Sequence, residues 1–248
     1  MIDIEQLINR SGRLSVAEIV KDDDFRRSFS SHTTFATAHA SQLVFKRSYT
    51  DSQNQDFKRI HNESWAMLMN NLANWERLSG TLQLPRNEKI LIAGWHFPEV
   101  PTLFSYARQV RALLLVSQDA PWLNSLKEEG CTLNISETNT TRRLIAEMQS
   151  GRIIAAMLDH SYPNTRTEKT TLLGRTVDTP SGIFDLCSRF GYLMVFVAPR
   201  KERIEIINRI DTTGKSASEL AQQYTTWLEA EIRQAPSRWL MWQALPMH

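Results

Sequence analysis

The residues most able to do chemistry follow apolar runs. His96 lies in Gly94-Trp95-His96-Phe97-Pro98-Glu99-Val100-Pro101, directly after the apolar run KILIAG at 89–94. Short continuous apolar runs read as buried strands, and open α/β sheets gather ligands at the carboxyl ends of their strands. An imidazole there titrates near neutrality and is placed to take a proton from a hydroxyl. The plainer alternative is a buried His satisfied by backbone groups. Asp159 and His160 hold the same kind of position after the run IIAAML at 153–158. Adjacent residues of an extended chain point in opposite directions, which disfavours one metal held by both and leaves substrate orientation or a simple turn. No metal site is expected.

A third candidate is a basic set: Arg142, Arg143, Arg166, Lys169, Arg175, Arg200 and Lys201. Several of these fall in loops beside the strand ends. Arginine forks bind carboxylate and phosphate well, so the set fits a phosphorylated acceptor or a phosphopantetheine arm. Taken singly, each arginine reads first as a solvated loop charge. No GxSxG, GxGxxG, P-loop or HExxH is present. Trp65, Trp75, Trp227, Trp239 and Trp242 lie at helical spacings and read as core.

The elements that must position these residues follow from periodicity. Residues 53–79 carry Phe57, Ile60, Trp65, Leu68, Met69, Leu72, Trp75 and Leu78 at helical spacing, with Gly80 as a stop. Strands are expected at 89–94, 112–116, 132–135, 153–158, 192–197 and 203–207. Helices are expected near 103–108 and at 121–129, 140–149, 180–190 and 216–233, the last opened by Ser216 with Glu219 three residues on. Residues 159–178 read as a long polar stretch. Residues 1–50 read as a less regular segment with two short helices and then a Ser/Thr/His-rich stretch at 28–40. Alternating strands and helices predict an α/β fold with a central mixed, largely parallel sheet flanked by helices. One domain over residues 1–248 is the simplest count.

Bulk properties narrow the classes. The 248 residues carry 29 basic and 27 acidic side chains, so charge gives no argument for nucleic acid, and none is expected as a partner. Two distant cysteines, Cys131 and Cys187, disfavour a disulfide framework and suit a reducing cytoplasm. No stretch reaches the roughly 18 apolar residues of a spanning helix, and the polar N-terminus does not look like a signal peptide.

The order of segments resembles the bacterial lipid A biosynthesis acyltransferases of the lauroyl/myristoyl type. The matching pieces are KILIAGWHF at 89–97, RRLIAEMQSGRIIAAMLDH at 142–160, TLLGRTVDTPSG at 171–182, VFVAPRK at 195–201 and WLEAEIRQAPSRWLMWQAL at 227–245. They run in colinear order through about residues 55–245, and the C-terminal piece is the most telling. The resemblance implies a glycerolphosphate acyltransferase-like αβα sandwich. It implies fatty-acyl transfer from acyl carrier protein or acyl-CoA to a hydroxyl or amine of a lipid or small-molecule acceptor, with no cofactor beyond the donor. His96 would be the general base, Arg142 would stand for the family's helix arginine and Asp159 for its strand-end aspartate. With Arg143, Arg166 and Arg175 from the basic set, Arg142 and Asp159 are the expected substrate-binding residues. The setting it implies is cytoplasmic, with peripheral contact to the inner membrane as an option.

Three departures bear on this expectation. The position of the family's acid, five residues after the His, is Pro101, and the nearest carboxylate is Glu99, three residues on, which becomes the expected partner of His96. The family's terminal His-Arg-Arg is replaced by Gln243-Ala244-Leu245, and its N-terminal membrane helix has no counterpart. Beside acyl transfer stand two other readings: a homologue that binds lipid or carrier without turnover, and a hydrolase of acyl thioesters.

Overall fold

The computed structural model describes residues 4–45, 49–79, 81–162, 165–201 and 203–246. Its centre is a six-stranded sheet in the order β3-β2-β4-β1-β7-β8. The strands are β1 (Ile90–Gly94), β2 (Leu113–Val116), β3 (Thr132–Asn134), β4 (Ile154–Met157), β7 (Leu193–Arg200) and β8 (Arg203–Asp211). The first five run parallel, and β8 closes the edge antiparallel to β7. β1 is buried at every position, as a strand covered on both faces must be. The covering helices are α5 (Val100–Gln109), α6 (Asn124–Glu128), α7 (Thr140–Gln149), α8 (Gly182–Phe190) and α9 (Ala217–Gln234). The expected α/β class, with a mixed and mostly parallel sheet, is therefore what the chain adopts.

Local chemistry explains most boundaries. Ser216 and Glu219 form the capping box that opens α9, and Gly191, at φ 66°, ends α8 in the left-handed region that glycine enters without strain. The expected helix near 103–108 starts earlier, at Val100, because Pro101 falls in its first turn, where a missing N–H costs no helical bond. The expected helix stop at Gly80 lies outside the described residues.

Two segments differ from expectation. The polar stretch 159–178 contains a β-hairpin of β5 (Thr167–Leu172) and β6 (Arg175–Pro180), whose turn residues Leu173 and Gly174 both have positive φ. Leucine at the first turn position hid the turn, since Asn or Asp is the usual signal there. The Ser/Thr/His-rich stretch at 28–40 lies almost wholly in α3 (Asp23–His39), running into a π-helical turn, Ala40–Val44. Ser28, Thr34 and Thr37 turn their hydroxyls onto carbonyls four residues back, which keeps polar side chains compatible with a helix.

The N-terminal helices α1 (Ile4–Ser11), α2 (Val16–Lys21) and α3 pack on the long α4 (Asp51–Asn74) around a second apolar cluster of Leu7, Ile8, Ile19, Phe25, Phe29 and Met69. The Asn70 amide donates to the carbonyls of Ser11 and Leu14, and Asn74 donates to Gly12. Among the described residues no helix is long and apolar enough to cross a membrane.

Candidate functional site

β1 and β4 are neighbours, and their register pairs Gly94 with Met157. Two residues beyond that pair the chains carry His96 and Asp159, so parallel pairing brings together groups 63 residues apart. Leu158 N–H donates to the Gly94 carbonyl at 3.2 Å, extending the pairing one step past the strands. His96 Nδ1 then lies 2.7 Å from Asp159 Oδ1, and the His96 backbone N–H donates to Asp159 Oδ2 at 2.9 Å. A third donor, Trp239 Nε1, reaches the same Oδ2 at 2.9 Å. Leu240 N–H donates to the His96 carbonyl, and Tyr224 Oη to that of Gly94. The loop bearing His96 is thus held from the sheet, from α9 and from the C-terminal segment.

The carboxylate acceptor fixes the imidazole tautomer. Nδ1 carries the proton toward Asp159, which leaves the Nε2 lone pair as the basic site. The Asp159 side chain is 0% exposed, whereas that of His96 keeps 28% of its surface open. Burial disfavours the imidazolium, but the Asp159 charge and hydrogen bond outweigh it and raise the His96 pKa above its ordinary value. Burial likewise favours neutral Asp159. The facing His96 and the bonds from His96 and Trp239 overcome it and hold the carboxyl below its usual range.

His96 opens onto a cavity of about 710 Å³, within the size range of small-ligand sites. Its walls are mainly apolar, with Phe97, Val100 and Phe104 from the α5 side, Leu114 from β2, Leu72 from α4 and Ile183 from α8. A long apolar chain could be desolvated there beside a base.

Glu99 does not partner His96. It immediately precedes α5, and its carboxylate is paired with Arg238. Three residues in sequence separate Glu99 from His96, but Pro98 and the start of α5 turn the backbone between them away from helical i, i+3 geometry. Asp159, expected to bind substrate, instead takes the partner position on His96.

The arginines scatter. Arg166 lines the cavity and pairs with Asp185 at 3.0 Å. Arg142 is exposed on α7 and is not part of the cavity wall, although the neighbouring Thr140 and Thr141 are. Arg143 lies in a groove with Arg111 and Arg152, beside the segments that lead into β2 and β4 and so at the end of the sheet opposite His96. Arg175 sits at the tip of the β5–β6 hairpin, also outside the cavity. Of the wider basic set, Lys169 pairs with Asp178, and Arg200 pairs with Glu231 through its two terminal guanidinium nitrogens.

Trp239 is core, as its spacing predicts, and it is also a site residue that spacing alone does not reveal. It is fully buried, and its N–H has a use only because Asp159 lies beneath it. Its own position is stiffened by His61, which meets the carbonyl of Ser237 through Nδ1 and receives Trp65 Nε1–H at Nε2. Burial pushes the His61 pKa down to about 4, so this imidazole is neutral at physiological pH. Comparison with protein-family models and with curated proteins gives no match to this chain.

Proposed function

We propose that this protein is an acyltransferase that moves a fatty acyl group from acyl carrier protein or acyl-CoA to a hydroxyl or amine acceptor, with His96 as general base. The observation that carries this reading is the His96–Asp159 pair opening onto a large apolar cavity. Asp159 fixes the tautomer, so the reaction does not need an acid close in sequence. Nε2 accepts the acceptor's proton as its oxygen or nitrogen attacks the thioester carbonyl carbon, and the proton then passes to the departing thiolate. The apolar walls desolvate the acyl chain, and Arg166 at the cavity wall offers a cation to the donor's phosphate. A cytoplasmic location with peripheral membrane contact suits a carrier-bound donor and a lipid acceptor.

Asp159 on Nδ1 favours turnover over binding alone. Hydrolysis of the thioester would use the same pair on water. The test follows thiol release and acyl product from dodecanoyl-acyl carrier protein and dodecanoyl-CoA, with dodecyl glucoside as acceptor. Wild type should form the acylated glucoside, and His96→Ala should lose about 10³-fold or more in rate. Equal rates in the two proteins would sink the proposal, and free fatty acid as sole product would assign the hydrolase.

A further inference from the structure

A second imidazole shares the cavity. His160 follows Asp159 at the end of β4 and lines the same cavity as His96. It also borders a separate, more polar chamber of about 330 Å³ that includes Lys169, Thr176 and Gln243. Its ring packs edge-on against Tyr162, with centroids 4.7 Å apart. That contact orients the ring, yet neither ring nitrogen has a hydrogen-bond partner among the described residues. A polar group that is partly buried, oriented and unspent at a cavity wall is available to a ligand.

The two histidines are driven apart chemically. Asp159 raises the His96 pKa, while burial and the nearby His96 charge lower that of His160. Titratable neighbours pushed in opposite directions are the mark of divided roles. His96 is poised to collect a proton, whereas His160 stays neutral and keeps one N–H to donate.

We infer that His160 holds the oxyanion: in the cavity it shares with His96, its ring N–H donates to the carbonyl oxygen that becomes negative when an acceptor adds to the acyl thioester. The inference builds on the acyl-transfer reading above. In the first step the acceptor oxygen forms a bond to the carbonyl carbon. The C=O π pair moves onto oxygen facing His160, and the hydroxyl proton goes to His96 Nε2. In the second step the oxyanion pair reforms the C=O bond, the C–S bond breaks with its electrons on sulfur, and the proton on His96 passes to the thiolate. His160 gains and loses no proton.

The test compares wild type, His96→Ala, His160→Ala and His160→Gln as full chains, with dodecanoyl-CoA and dodecyl glucoside. Loss of one oxyanion donor lowers kcat by about 10²-fold. His160→Ala should therefore lower kcat to that extent and change KM by less than about threefold. His160→Gln keeps an N–H donor and should recover roughly tenfold. A kcat within threefold of wild type in His160→Ala would overturn the inference. So would a raised KM at unchanged kcat, or a Gln variant no better than Ala. If His96→Ala abolishes turnover while His160→Ala does not, the oxyanion role fails and acyl transfer stands. Absence of thioester turnover in wild type refutes both.

Discussion

Two carboxylates lie close to His96 along different routes, and they have opposite fates. Glu99 is three residues away in sequence, just before α5, and is paired with Arg238. Asp159 is 63 residues away, beyond β4, and receives three hydrogen bonds from His96 and Trp239. Proximity along the chain failed because a strand end, a proline and a helix start intervene. Proximity across the sheet succeeded because parallel pairing is rigid and extends its register beyond the last bonded residue. The strand ends set the position of the dyad, and the segment next to α5 ties the C-terminal arm down.

The sharpest way to break this contrast is Asp159→Asn. It preserves shape but removes the charge and the tautomer control, and kcat should fall by about 10⁴-fold, as when a buried orienting carboxylate is amidated in a serine protease. Asp159 raises the His96 pKa, so its loss should move the acidic limb of the kcat/KM profile to lower pH while the plateau drops. A limb that stays in place, measured from pH 4 to 9, would show that another group supplies the effect. The same pair links stability to pH. Its His96 share is complete below the ordinary value of 6.5 and is lost as pH rises through the higher folded value. Its Asp159 share is complete above the ordinary value of 3.8 and is lost as pH falls through the lower folded value.

Trp239→Phe comes next in size. It keeps an aromatic ring but withdraws one of the three donors to Asp159. Turnover should fall about tenfold, a loss of roughly 1.4 kcal/mol in transition-state stabilisation. Thermal melting should show about 1–3 kcal/mol lost to the missing hydrogen bond and the smaller ring. The smallest catalytic effect belongs to Glu99→Gln, with kcat within about threefold of wild type. It leaves a partly buried Arg238 without its counter-charge, and denaturant unfolding should record about 1–2 kcal/mol of destabilisation. A large kcat loss at unchanged stability would reverse the assignment of the two carboxylates.

Much of the fold was legible because its signals are local. The run at 89–94, the box at Ser216 and Glu219 and the glycine at 191 each act within a few residues, and each lies where its element begins, continues or ends. The hairpin at 167–180 escaped because its turn uses Leu173 rather than Asn or Asp. The helix over residues 28–39 escaped because hydroxyl side chains signal loops until their bonds back to the helix are seen.

The sequence by itself placed His96 and Asp159 at strand ends and made the sheet largely parallel, since apolar runs and helix caps are properties of neighbouring residues. Only the tertiary structure decided which strand ends are adjacent. The order β3-β2-β4-β1-β7 lays β4 beside β1, although β2 and β3 lie between them in the chain and occupy the outer edge. That single adjacency makes Asp159 the partner of His96, spends Glu99 on Arg238, gives the Trp239 indole an acceptor and sets His160 on the wall of the same cavity. Strand order is decided by the packing of whole faces, and no local spacing encodes it.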